Sequence, residues 1–385
     1  MHFTTFVTLA SLAVSGASAA TCKGHRRHHS KIASAYSSGS SSGSSSTKQV
    51  ASAQATAVLA AQVQVGASVG SGTTSWSSKG SATASSSAAS ASSSSSSSSS
   101  SLGWGFGPLQ KNGIYFGFLP DDGSGGGTSN SVSEINGRMG TNMAAQGWYA
   151  QAQSGTLFDG SQFKWRKDQI LSGGVFQPAV MPTGGWWGLT EDDNQQAVAI
   201  CNVMKEYTDE GVEVWLRFAH EVNYYQTDGT YQGGVDDFKE AWSVVAKACK
   251  QIAPSVKMWY TPNVASLDQY DEYFPDDAST VDLIGVDWYP KQTSDFDFAN
   301  GSADMKKFHD KYCSDNGIKF AIGEIGLGQA ATIAQRLAWA KNIMESGTDM
   351  PHMVAVSWFN YYKDEYDYKI GYTDGDSIVK AYFAS

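Results

Sequence analysis

The stretch EVWLRFAHEVNYY, Glu213–Tyr225, opens as a buried β-strand and then sets Arg217, His220, Glu221 and Asn223 within seven residues. In an extended chain Val212, Val214, Leu216 and Phe218 fall on one face, and Trp215, Arg217, Ala219 and Glu221 on the other. Polar residues gathered at the C-terminal end of such a strand mark the point where it leaves a core. The flanking segments read as helices. Before the strand, Thr190 with Asp193 has the pattern of an N-terminal capping box, and Ile200, Met204 and Tyr207 recur at helical spacing up to Gly211. After it, Phe238, Trp242, Val245, Cys249 and Ile252 repeat at the same spacing until Pro254 stops the run.

The alternation extends in both directions. Strand-like runs cover 113–120, 144–151, 174–182, 212–221, 256–263, 281–290, 318–326 and 352–360, with helical segments between them. Eight such units predict an α/β fold, a (β/α)8 TIM barrel, whose usual size is about 250 residues. An open doubly wound sheet is the competing fold. It calls for a glycine-rich phosphate turn after the first strand, and DDGSGGGTSN (121–130) lacks that spacing.

The rest of the chain has a different composition. Residues 1–20 carry the short apolar core and small-residue ending of a secretory signal peptide, so the mature chain is expected to be secreted, extracellular or in a cell wall. Residues 21–101 contain no Asp or Glu, are dominated by Ser, Ala, Gly and Thr, and end in an unbroken serine run from Ser92 to Ser101. Such a segment lacks the apolar surface to fold and is expected to be a disordered linker or stalk. Near its start His25, His28 and His29 sit among basic residues, a pattern better read as a solvated tail or processing site than as a metal site. The folded domain is then 102–385. All 37 acidic residues and 21 of the 27 basic ones lie there, a formal net charge near −16. That balance argues against nucleic acid or an anionic membrane as partner and for a neutral ligand, with the protein expected to act as a monomer.

A single glutamate at a strand end is solvated or ion-paired far more often than catalytic. A second one changes the reading. FAIGEIGLG (320–328) ends the seventh strand with Glu324 between glycines, across the barrel mouth from Glu221 on the fourth. Retaining glycosidases need such a carboxylate pair, roughly 5–5.5 Å apart, one to protonate the leaving oxygen and one to attack the anomeric carbon.

With RFAHEVN (217–223), the segments YQGGVDDFKEAW (231–242), KMWYTPN (257–263) and YFPDDASTVDLIGVDWYP (273–290) follow in an order that resembles clan A retaining glycoside hydrolases, most closely family 26, whose best-known members are endo-β-1,4-mannanases. The resemblance covers about residues 113–360. It implies Glu221 as acid/base with His220 its neighbour, Glu324 as nucleophile, and a hydrogen bond from Tyr289 to Glu324. It also implies Trp358 as the floor under the sugar, and no cofactor or metal. Val222 and Tyr224 depart from the family's Met and Gly, so mannan, mixed-linkage or β-1,3-glucan and xylan all stay open. So does a noncatalytic wall protein that binds glycan. Arg217, Asn223, Trp186, Trp187 and Trp288 complete the expected substrate-binding set. For Arg217 a structural ion pair, and for the tryptophans packing under loops, are the alternatives. Cys201 with Cys249 is the favoured disulfide over two buried free thiols. Asn300, in Asn-Gly-Ser, fits an N-glycosylation acceptor.

Overall fold

Short apolar strands that bury both faces need cover on each, which either a closed barrel under a coat of helices or an open sheet between two helical layers supplies. In the computed structural model they close into the barrel. The structure describes residues 105–290, 302–328, 331–345, 349–371, 373 and 375–384, so the predicted signal peptide, the predicted stalk and Asn300 lie outside the described residues. The barrel strands are β1 (Ile114–Pro120), β2 (Ala145–Gln151), β3 (Val175–Met181), β4 (Trp215–Phe218), β5 (Lys257–Tyr260), β6 in two pieces (Leu283–Ile284 and Asp287–Trp288), β7 (Lys319–Ile325) and β8 (Met353–Asn360). Each pairs in parallel with the next, and β8 returns to β1 from Ala355↔Tyr115 to Asn360↔Pro120. The (β/α)8 barrel expected from the strand count is the fold.

Side chains alternate across the barrel wall. Phe116 and Phe118 of β1, Leu216 and Phe218 of β4 and Val356 of β8 belong to the large core between barrel and helices. Tyr115, Val175, Trp215, Trp259, Leu283 and Ala321 form a separate cluster that fills the lower interior. Trp215 and Trp259 meet edge to face there at 5.5 Å, and Phe106 stacks on Tyr115 at 3.9 Å. The N-terminal end of the barrel is thus plugged by aromatic rings, and the interior opens only towards the other end.

Three local features depart from the pattern. First, β4 ends at Phe218 instead of running to Glu221, because Ala219 (φ 50°) and Glu221 (φ 52°) take the left-handed conformation. Second, β7 carries one extra residue against β8, three steps from Ile322 to Ile325 opposing two from Val356 to Trp358. Such a bulge re-aims the side chains within it, here Gly323 and Glu324. Third, β6 is split at Gly285, where a Cβ would overlap the carbonyl oxygen of Ala321, so only glycine lets β6 cross β7 so closely.

The helix before β4, Gln195–Thr208, starts later than the Thr190/Asp193 pattern suggests. Thr190 Oγ1 accepts from Asp193 N at 3.2 Å within a preceding turn, and the first helical amides of Gln196 and Ala197 reach the carbonyl of Gly188 instead. A carbonyl brought in by the loop replaces the side-chain cap. The helix after β4, Val235–Ile252, packs against it, and Cys201 and Cys249 join the two in a disulfide with Cα atoms 5.0 Å apart. Cys313 is a buried free thiol. Among the described residues no helix is long and apolar enough to cross a membrane.

The disulfide closes a loop of 48 residues that contains all of β4 and its turn. Chain entropy assigns such a link about 4 kcal/mol. The Cys201→Ser/Cys249→Ser double variant is expected to lose stability of that order, read by thermal unfolding of variant and wild type without reductant. Loss of under 1 kcal/mol would mean that helix packing alone holds this region.

Candidate active site

Arg217 is the only residue of β4 whose charged group lies inside the barrel, and its guanidinium is wholly buried. Its position follows from alternation: Trp215 below it fills the plug, and Leu216 and Phe218 face the helices. Three groups receive its N–H bonds. Nη1 donates to Glu324 Oε1 at 2.9 Å, Nη2 to Asp287 Oδ2, and Nε to Thr261 Oγ1 at 3.2 Å. Gly323 makes room for this cluster, since a Cβ there would overlap Asp287 Oδ1 and the guanidinium. Glycines beside a strand-end glutamate could leave room for a ligand. At Gly323 the ion pair takes that room instead.

The β7 bulge turns Glu324 into the same space, where its second oxygen, Oε2, accepts from the Tyr289 hydroxyl at 2.6 Å. Burial alone would raise this carboxyl. The charge of Arg217, with the hydrogen bonds from Tyr289 and Tyr149, outweighs it and holds Glu324 below the ordinary carboxylate range. Tyr149 of β2 turns its hydroxyl to Glu324, and burial, then the charge of Glu324, pushes the phenol well above its ordinary range.

Glu221 reaches the mouth by another route. Two left-handed residues are uncommon outside glycine and cost on the order of 1 kcal/mol each. Here they are held by backbone bonds to both neighbouring strands, Ala219 N to Val180 O at 2.9 Å and Glu221 N to Thr261 O at 2.7 Å. Asn263 Nδ2 donates to Glu221 Oε1 at 2.6 Å. Burial, and then the charge of Glu324, raise the Glu221 carboxyl to about 7. Glu221 and Glu324 are both buried, each residue 5 % exposed. His220 Nε2 is 3.8 Å from Glu324 Oε1, yet burial and then Arg217 push its pKa down to about 3, so it is neutral there. Neither ring nitrogen of His220 has a partner among the described residues.

His220, Asp287 and Glu324 offer ligand atoms within 4.8 Å of one another, the pattern of a metal site. Arg217 already bonds both carboxylates from inside the barrel, and a divalent ion would have to share them with a buried cation. The set fits an ion-pair centre better than a metal centre.

The structure brings Glu221, Glu324, His220, Arg217 and Tyr289 together. It does not bring the other candidates to the same point. Asn223 uses its whole amide on the Asn263 backbone, accepting from N at 2.8 Å and donating to O at 3.0 Å, so it positions Asn263 behind Glu221. Trp358 has no exposed surface: it faces the helices with Val356, and its indole N–H donates to Tyr368 O at 2.8 Å. Ser357 points the opposite way, into the barrel, where it bonds Gln177, and Phe359 next to it is the ring that meets Tyr289. Trp288 is outward for the same reason, packed on Trp339 at 5.0 Å. Trp186 is half-buried against Phe218, Tyr231 and Phe238, and Trp187 is half-buried beside it. Asp287, Thr261, Asn263 and Tyr149 were not among the sequence candidates. Asp287 had a readable signal, since alternation in VDWYP puts it on the face of Tyr289; the others are visible only through their contacts.

No protein-family model and no curated protein matches the chain. Among solved structures it is similar to the catalytic domain of a glycoside hydrolase family 26 endo-β-1,4-mannanase from Bacillus sp. JAMB-750, with 16% identity, 68% of this chain, 78% of that chain and a TM-score of 0.47. A modular endo-β-1,4-mannanase from Cellulomonas fimi gives 17%, 72%, 71% and 0.49. Fungal β-1,4-galactanases give 11%, 64%, 88% and 0.46.

Removing the guanidinium strands two buried carboxylates. Arg217→Met is therefore expected to destabilise the barrel by about 3–5 kcal/mol, measured by denaturant unfolding. A loss below 1 kcal/mol would mean that Asp287 and Glu324 are held by other groups.

Proposed function

We propose that this protein is a secreted retaining glycosidase that cleaves a β-linked polysaccharide internally. The observation that carries the reading is one pair of buried carboxyl groups with opposed environments. Glu221 is raised to about 7 and Glu324 is held low. Carboxyls pushed apart in this way divide into an acid and a base or nucleophile.

In the first step Glu221 gives its proton to the glycosidic oxygen as that bond breaks, while Glu324 forms the bond to the anomeric carbon. Arg217 and Tyr289, which bond one oxygen each, orient the attacking carboxylate. Esterified Glu324 no longer carries its charge. Glu221, having given its proton to the leaving oxygen, stays a carboxylate because part of the field that raised it is gone, and it can take a proton from the water that releases the sugar. One residue thus changes role because the other changes charge.

Mannan is the first substrate to test, on the order of the motifs from RFAHEVN to VDWYP; glucan and xylan are the rival polymers. Secretion rests on the residue pattern of 1–20. Reducing sugar released from mannan, lichenan, laminarin and xylan tests activity and substrate together, and release from none of them would end the glycosidase reading.

The acid form of Glu221 is the active one, so kcat/KM is expected to fall as pH rises through about 7. Replacing Glu324 by Gln removes a neighbouring negative charge and should lower the Glu221 pKa, readable by carbon NMR of labelled glutamate. No downward shift would mean that the two groups are not coupled through space. Azide separates their roles. Glu221→Ala with an activated aryl glycoside should yield the β-glycosyl azide, and Glu324→Ala the α-glycosyl azide; the reverse pair of anomers would exchange the two roles.

A further inference from the structure

The mouth beside Glu324 is bounded by rings in contact. His220 meets Tyr149 (centroids 5.6 Å), Tyr149 meets Tyr361 (6.4 Å), Tyr361 stacks on Phe359 (4.4 Å), and Phe359 meets Tyr289 (5.3 Å). Along this wall the Tyr361 hydroxyl and both nitrogens of His220 are buried without hydrogen-bond partners among the described residues, while the Tyr149 hydroxyl turns to Glu324. Native proteins leave few such groups, and a row of them calls for a polar ligand.

Lys363 stands at the rim of the wall. It lies two residues beyond Tyr361, in the hairpin formed by Tyr362–Lys363 and Tyr366–Asp367, so extended backbone puts it on the side of Tyr361. Tyr362 between them is tied to Asp121 through its backbone N–H at 3.0 Å. Of the other basic groups around this hairpin, Lys369 pairs with Asp121 at 2.8 Å and Arg336 with Asp367 at 3.0 Å, and Arg166 lies between the rings of Trp148 and Trp165. The half-buried Lys363 ammonium has no ion pair or hydrogen bond among the described residues. Burial pushes it below the usual lysine range, and it lies within the electrostatic reach of Asp364 first, then of Glu324, Glu221 and Asp122, while bonding none of them. Glu324 is already served by Arg217 and Tyr289, and Glu221 holds a proton. The charge of Lys363 is therefore free for something that enters the mouth.

We propose that Lys363 reads an anionic substituent, so that the sugar bound at this wall carries a carboxylate, as a hexuronic acid does, in preference to a neutral hexose. The proposal rests on the glycosidase reading and narrows its substrate. The net charge near −16 beyond residue 101 opposes long polyanions. Its field decays over about 8 Å at physiological ionic strength, whereas a direct contact with Lys363 does not depend on it. A largely neutral chain with scattered carboxylates satisfies both.

The test is binding, by titration calorimetry, of mannan, lichenan and laminarin oligosaccharides and of the same sugars with C6 partly oxidised to carboxylate. The full chain carries Glu221→Gln to stop turnover. A charge-assisted contact is worth about tenfold or more in affinity. At least one oxidised set is expected to bind about tenfold tighter than its parent. That ratio should fall to near one in Lys363→Met, persist in Lys363→Arg, and shrink in 0.5 M salt, as an ionic contact must (on the order of a 3–4 Å Debye length). Equal binding of oxidised and parent sugars, no binding of either, or a preference that survives Lys363→Met would overturn the assignment. If Lys363→Met does not fold, Lys363→Gln and the salt series decide. Hydrolysis of neutral polymers by the wild type without any carboxylate preference would sink only the role of Lys363, whereas hydrolysis of neither form would sink the glycosidase reading itself.

Discussion

The guanidinium of Arg217 organises the interior of this barrel. A buried cation is tolerated only when its hydrogens are met by acceptors and its charge by carboxylates, and Arg217 finds Asp287 from β6, Glu324 from β7 and Thr261 from the end of β5. The charge that Arg217 holds on Glu324 acts in turn on Glu221, where burial first and then that charge keep the proton on. The same centre thus fixes the shape of the site and sets the unequal acidities of its two glutamates.

The backbone departs from regular geometry where the glutamates must be aimed. Plain alternation along β7 would turn Glu324 towards the helices, because Ile322 faces out; the extra residue at Gly323 and Glu324 turns it inward. On β4 the left-handed Ala219 and Glu221 bring a second carboxyl to the same mouth. Neither distortion stands alone. Bonds to Val180 and Thr261 hold the first turn, and the fit of Gly323 against the ion pair holds the bulge. Strain of this kind persists where surrounding structure over-determines it.

Above the ion pair, the polar atoms of Tyr361 and His220 have no hydrogen-bond partners among the described residues while their rings pack against Tyr149. The base of the mouth is held by the ion pair of Arg217 with Asp287 and Glu324, and its wall by packed rings. The base is built for stability, and the wall presents donors and acceptors to whatever enters. The neutrality of His220 belongs to the same division, since a second cation beside Arg217 would be costly in a dry interior.

Much of this was legible in the residues. Period-two runs separated by helical ones gave eight strands and a closed parallel barrel, because a strand buried on both faces must be covered on both. Arg217, Glu221 and Glu324 could be picked out because charged residues at apolar strand ends are rare without a reason. What the residues could not show was which way each side chain faces once the strand pattern breaks. Trp358 read as a floor for the sugar, yet the register of β8 turns it to the helices and gives Phe359 the place beside Tyr289. Asn223 read as a substrate contact, yet its amide is used up by the Asn263 backbone 40 residues away. Composition and periodicity are local, and they determined the elements and the kind of chemistry. Bulges, left-handed turns and partners from other strands depend on how distant segments meet, and only the closed barrel decided those.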